Sequence, residues 1–140
     1  MMKEFSNKAL PRGIRNKNPG NIRKGENWIG IDPNGKDADF VVFKEAKFGI
    51  RALAKIIITY REKYGLMTAR EILMRYAPPV ENDTNSYISH VEEVLGSGEL
   101  NIYDVNVMGN LIRVITKHEN GIQPYTEDEI REGLQLAGIV

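Results

Sequence analysis

From about Glu45 to Tyr64, the residues Gly49, Leu53, Ile56 and Tyr60 fall on one helical face, with Ala52 and Ile57 beside them. Gly65 follows as a stop. Thr68-Ala69-Arg70-Glu71 is a capping box that opens a short helix burying Ile72, Leu73 and Tyr76 and ending at Pro78-Pro79. Asp83 or Thr84 caps a third helix, whose stripe is Ile88, Val91 and Leu95 and whose stop is Gly96. A fourth runs from about Tyr103 to His118, with Met108, Leu111, Ile112 and Ile115 inward, and closes at Asn120-Gly121. A second capping box, Thr126 to Glu129, starts a last helix that packs Ile130, Leu134 and Ala137.

Upstream of these helices the pattern changes. Residues 1–26 are polar, rich in Gly, Pro and Asn, and without period, which predicts an ordered loop with 1–11 as a flexible arm. Trp28–Ile31 and Asp39–Phe43 are short β-prone runs on either side of Asp32-Pro33-Asn34-Gly35, which is turn chemistry. A small β-hairpin is the expectation. The predicted fold class is α+β, mainly α: a single domain over 1–140 with one hairpin near its start and about five helices after it.

Composition narrows the chemistry. A chain of 140 residues, 41% hydrophobic, can bury a core without staples. It has no cysteine, so disulfides, cysteine zinc sites and a thiol nucleophile are excluded. His90 and His118 lie far apart in sequence, so no metal site and no cofactor are expected. No apolar run reaches the length of a membrane span, and MMKEFSNKALPRG lacks the apolar stretch of a signal peptide. The expectation is a protein made in the cytoplasm that something else must deliver if it acts elsewhere.

The net charge is zero, yet it is unevenly spread: +6 over residues 1–25, +2 over 26–80 and −8 over 81–140. The basic head and acidic tail either attract within one globule or form opposite walls of a cleft. Acidic helices after residue 81 have the wrong sign for a DNA groove, which argues against nucleic acid as a partner. No Gly-x-Ser-x-Gly elbow, Walker loop or dinucleotide fingerprint occurs.

One acid stands out. Glu119 continues the 108–111/112–115 stripe by four residues, so it points toward the core side of its helix, in the last turn. Desolvation and the negative helix end both favour its protonated form, as a general acid requires. The alternative is that Glu119 reaches water past a frayed end, or pairs with Lys117 or Arg113. Residues 12–22, Arg-Gly-Ile-Arg-Asn-Lys-Asn-Pro-Gly-Asn-Ile, are dense in amides that suit sugar hydroxyl and N-acetyl groups, or that simply bond their own backbone. The loop 77–84 before Tyr87 is rigid, and Asp83 reads as a cap. Asp32, Asp37 and Asp39 are candidates for a second carboxylate or solvated loop acids, and Glu45 suits a positive helix end.

The stretches RGIRNKNPGNIRKGENWIG, DFVVFKEAKFGIRALAKII, RYAPPVENDTNSYISHV and LIRVITKHENGIQPY resemble a family of small phage-encoded virion or lysis proteins related to lysozyme-like muramidases and lytic transglycosylases. The resemblance spans about residues 12–137. A second similarity is to autolysin-type N-acetylglucosaminidases, which place a catalytic Glu at a helix end in a Glu-Ser-Gly context. That helix comes last here instead of first, and Asn120 stands in place of the Ser. The resemblance therefore implies a circularly permuted lysozyme-like domain that cleaves peptidoglycan glycan strands, with Glu119 as general acid. It implies a sugar-binding wall of Asn16, Asn18, Asn21, Trp28, Asn82 and Tyr87. Peptidoglycan, and other virion or lysis proteins, are the implied partners, with action in the virion or in the periplasm and cell wall after delivery. Retaining, inverting and non-hydrolytic routes all stay open, since no paired carboxylate stands at a readable spacing. The rival reading is a non-catalytic virion or peptidoglycan-binding protein of the same fold, and a third is a DNA-binding regulator with a basic arm.

Overall fold

The computed structural model describes residues 10–77 and 83–140. Within them lie six helices: α1 (Arg12–Arg15), α2 (Ala46–Tyr64), α3 (Ala69–Tyr76), α4 (Thr84–Leu95), α5 (Val105–Asn120) and α6 (Glu127–Leu136). Most of the expected arm, residues 1–9, and residues 78–82 of the expected loop lie outside the described residues.

The helix ends follow local chemistry. Thr68 Oγ1 accepts from the Glu71 amide at 3.1 Å while Glu71 Oε1 accepts from the Thr68 amide, and Thr126 and Glu129 repeat the arrangement. Gly65 and Gly121 close α2 and α5 in the left-handed region, at φ 67° and 79°. Asp104 caps α5 by accepting from the amides of Asn106 and Val107, so that helix starts two residues later than its pattern suggests and runs on to Asn120. Glu119 consequently sits inside its last turn.

One main core forms where α2, α5 and α6 meet the α3–α4 pair. Ile50, Leu53, Ile57, Ile72, Leu73, Met108, Leu111, Ile112 and Ile115 are wholly buried there. Each such side chain contributes about 1.5–3 kcal/mol by leaving water. Gly49 of α2 lets the loop ahead of it approach: a Cβ there would stand 2.0 Å from the Lys17 carbonyl oxygen. A smaller cluster of Ile22, Val41, Phe43 and Ala52, with Trp28 against it, fastens residues 22–43 to the outer side of α2.

The hairpin is absent. Among the described residues there is no strand or sheet, only isolated antiparallel bridges at Arg23–Phe40, Ile31–Phe43 and Thr68–Glu99. The domain is all-helical, which corrects the α+β expectation, and the fold gives no support to a lysozyme-like domain, permuted or otherwise. The turn itself does form, with Gly35 N donating to Asp32 O at 3.1 Å and Asn34 N to Asp32 Oδ1 at 2.9 Å. Its flanks meet only at the Ile31–Phe43 bridge, where Asp32 N donates to Val42 O and Lys44 N to Gly30 O, because the second flank is otherwise engaged upstream. Phe43 N donates to Asn16 O, Val41 N to Ile22 O, and Asp39 O accepts from Lys24 N. Asp37 Oδ1 accepts from the amides of Asp39 and Phe40, 2.9 Å each. Side-chain hubs replace cross-strand pairing.

Candidate active site around Glu119

The site is built where the loop of residues 12–22 meets the end of α5. The loop is organised from inside by Asn18, which is wholly buried. Its Nδ2 donates to Ile22 O and Val41 O, and its Oδ1 accepts from Ile22 N, all at 2.9 Å. Asn16 is nearly as buried; its Nδ2 donates to Asp37 Oδ2 at 2.9 Å. Arg12 grips the same carboxylate through Nε and Nη2 at 2.7 and 2.6 Å, with its guanidinium over the Phe40 ring. This contact holds the Asp37 carboxyl well below the usual carboxylate range. Lys17 and Asn21 take positive φ, 55° and 51°, so the chain turns sharply on either side of Pro19-Gly20.

The loop docks on α5 through side-chain amides. Asn120 Nδ2 donates to Pro19 O at 2.9 Å and to Thr116 O at 3.1 Å. Gly13 makes the approach possible: a Cβ there would lie 2.3 Å from Asn120 Oδ1 and 2.6 Å from Asn21 Oδ1. Asn21 Nδ2 in turn donates to Glu119 Oε1 at 3.1 Å, and more weakly to the Glu119 carbonyl at 3.4 Å. Among the described residues, Oε2 takes no hydrogen bond.

Burial pushes the Glu119 carboxyl above its ordinary pKa, and the Asn21 amide, which favours the ionised form, offsets part of that rise. Two tyrosines stand around it, Tyr76 half-buried and Tyr87 buried. Tyr76 of α3 donates through its hydroxyl to Gly20 O, and Tyr87 of α4 donates to Ile115 O at 3.4 Å. Burial first, and the Glu119 charge second, raise both phenols, so they stay protonated. The Tyr87 ring stacks on His118 at 4.1 Å between centroids, and His118 Nε2 lies 3.1 Å from His90 Nδ1. Burial pulls the His118 imidazole down, and the neighbouring His90 pulls it further.

Of the expected sugar wall, then, the structure hydrogen-bonds only Asn21 to Glu119 among the described residues. Asn16, Asn18 and Tyr87 are buried and committed to internal contacts. Trp28 packs on the small cluster beside α2, its indole N–H buried without a partner among the described residues. Asn82 lies outside the described residues. Tyr76, Asn120 and Gly13 complete the site without having been singled out for it. Tyr76 reads from sequence as a core residue, and the Asn120 and Gly13 contacts join segments about a hundred residues apart.

A half-buried carboxyl with a raised pKa, one oxygen held and the other without a hydrogen bond among the described residues, can deliver a proton to a bound oxygen atom. No protein-family model matches the chain. It is 39% identical over 128 residues to Protein P5 of Pseudoalteromonas phage PM2, a match covering 89% of this chain and 80% of that protein. The chain belongs to the family of this bacteriophage protein.

Proposed function

We propose that the protein cleaves the glycan strand of peptidoglycan during phage entry or lysis, with Glu119 as the general acid. The observation that carries this reading is the Glu119 carboxyl itself, kept toward its protonated form by burial and held through Oε1 by Asn21. Membership in a bacteriophage protein family supports it, since a phage must breach the wall to enter and to leave its host. Glu119 protonates the glycosidic oxygen as the bond to the anomeric carbon breaks. Either water then adds to that carbon, or the muramyl 6-hydroxyl closes on it to form an anhydro sugar, the proton released returning to the Glu119 carboxylate. Delivery by the virion or by other lysis proteins brings the domain to the wall. No described helix is long and apolar enough to cross a membrane.

The second reading is a wall-binding or structural virion protein without catalysis. It is favoured by the number of expected sugar-wall residues that the fold uses internally, Asn16, Asn18 and Tyr87 among them. Incubation with purified peptidoglycan, followed by mass spectrometry of the soluble fragments, separates the two. Reducing-end muropeptides from wild type and none from Glu119→Gln support hydrolysis, and anhydromuropeptides support the internal closure. Equal release by both proteins removes Glu119 from the acid's role. Co-sedimentation with sacculi and no release supports the binder.

A further inference from the structure

Two buried carbonyl oxygens at the docking point, Asn21 Oδ1 and Asn120 Oδ1, have no hydrogen-bond partner among the described residues. Both stand within 2.6 Å of where a Gly13 Cβ would lie, so two acceptors crowd the same Gly13 Cα. Leaving buried acceptors unpaired is unfavourable, and native folds satisfy nearly all of them. The third group here is Glu119, and Asn21 gives it the donor end of its amide. That orientation suits an ionised carboxylate, which only accepts.

We infer that the Asn21 side-chain amide turns over when Glu119 takes up a proton, and is thereby the positioning residue that sets which oxygen carries it. The solvent proton binds Oε1, and the new O–H donates to Asn21 Oδ1. The same half-turn carries Asn21 Nδ2 to the Gly13 side, the side on which Asn120 Oδ1 also stands. One rotation thus gives Asn21 Oδ1 a partner and brings a donor to the side of the second orphaned oxygen. Ionisation reverses it, because the carboxylate again needs a donor. Asn120 does not follow the turn, since its own Nδ2 is fixed by Pro19 O and Thr116 O. Asn21 is free to make it about its terminal torsion without backbone movement.

The titratable groups facing Glu119 are Tyr76 from α3 and Tyr87 from α4, both neutral through the range concerned. His118 adjoins it on α5, paired with His90 of α4, and Lys117 and Asp83 act on that imidazole. With the proton on Oε1, Oε2 is left as an acceptor; donation to a bound oxygen needs the proton on Oε2, with Asn21 turned back to donate to Oε1. The inference concerns the acid alone and stands whether or not a glycan is its substrate.

Proton NMR on the labelled, full-length protein tests it. Above the Glu119 titration, followed through its own carboxyl carbon, Asn21 Oδ1 faces Gly13 and the Asn21 amide protons show no nuclear Overhauser contact to the Gly13 Hα pair. Below it, that contact appears, and its growth tracks the Glu119 carbon and not the imidazole signals of His90 and His118. Glu119→Gln, neutral at every pH, shows the contact at one strength across the whole range. A contact that is absent at all pH values, or that follows the histidines, overturns the inference, as does one that still grows with falling pH in Glu119→Gln. The peptidoglycan assay reads the proposed activity independently, so either can fail alone.

Discussion

Gly13→Ala tests whether the loop of residues 12–22 is held on α5 as closely as described. Gly13 lies in α1 with no left-handed φ, so backbone propensity alone favours alanine there by about 1 kcal/mol. The added methyl meets Asn120 Oδ1 at 2.3 Å, Asn21 Oδ1 at 2.6 Å and Asn18 O at 2.9 Å, where ordinary carbon–oxygen contacts begin near ~3.3 Å. The loop must therefore retreat by roughly 1 Å, beyond what the 2.9 Å Asn120–Pro19 and 3.1 Å Asn21–Glu119 hydrogen bonds survive intact. Losing both costs about 2 kcal/mol, and residual crowding adds about 1 kcal/mol or more. Set against the helical gain, the net loss is about 2 kcal/mol, or a fall in Tm of roughly 6 °C for a domain of this size. Urea titration followed by far-UV circular dichroism measures it. Gly98→Ala is the control: nothing lies within 4 Å of a Cβ there, and its stability should stay within about 0.5 kcal/mol of wild type. A Gly13→Ala protein as stable as wild type, or more so, refutes the docking.

Glu119→Gln should raise thermal stability at neutral pH, because the folded state disfavours the ionised carboxyl that the unfolded chain accepts. With the folded pKa raised, that advantage is absent below the ordinary glutamate value and grows as pH climbs through the folded one, so melting curves across acid and neutral buffers check it. Asn18→Ala removes three hydrogen bonds from a wholly buried site and leaves their backbone partners unpaired, which should cost about 3 kcal/mol by urea titration. His118 has a lowered folded pKa, so its share of stability is intact above the ordinary value of 6.5 and is lost as pH falls through and below it. Comparing wild type with His118→Phe, which keeps a ring against Tyr87, should show a shallower acid slope in the variant. Parallel slopes would sink that account.

What the sequence made legible was local. Thr68 with Glu71, and Thr126 with Glu129, announce helix starts because both partners lie within one turn. The inward face of Met108, Leu111 and Ile115 places Glu119 correctly, since a four-residue step stays on that face. The hairpin failed for the opposite reason. Its turn residues did what turn residues do, but whether the flanks pair further depends on Asn16, Ile22 and Lys24, which engage the backbone groups of the second flank. Four residues of α1, Arg-Gly-Ile-Arg, carry no apolar period by which to be recognised. The amide-rich loop was ambiguous in principle: the groups that would bind a sugar are those that satisfy a buried backbone, and at Asn16 and Asn18 the second use prevails. The charge split correctly suggested that the head and the tail meet, but Asn21 and Asn120 join them through neutral amides and not through an ion pair.

The bond between Asn21 and Glu119 closes a span of 98 residues. On the ribosome, α2 to α4 can begin to gather before the second partner has been made, whereas the loop of residues 12–22 waits for nearly all of α5 to emerge. Contacts that enclose so much chain come late and are the first to open. A nascent or partly unfolded molecule can therefore own most of its helices while lacking the acid's environment, and its proton chemistry would switch on only with the last step of folding.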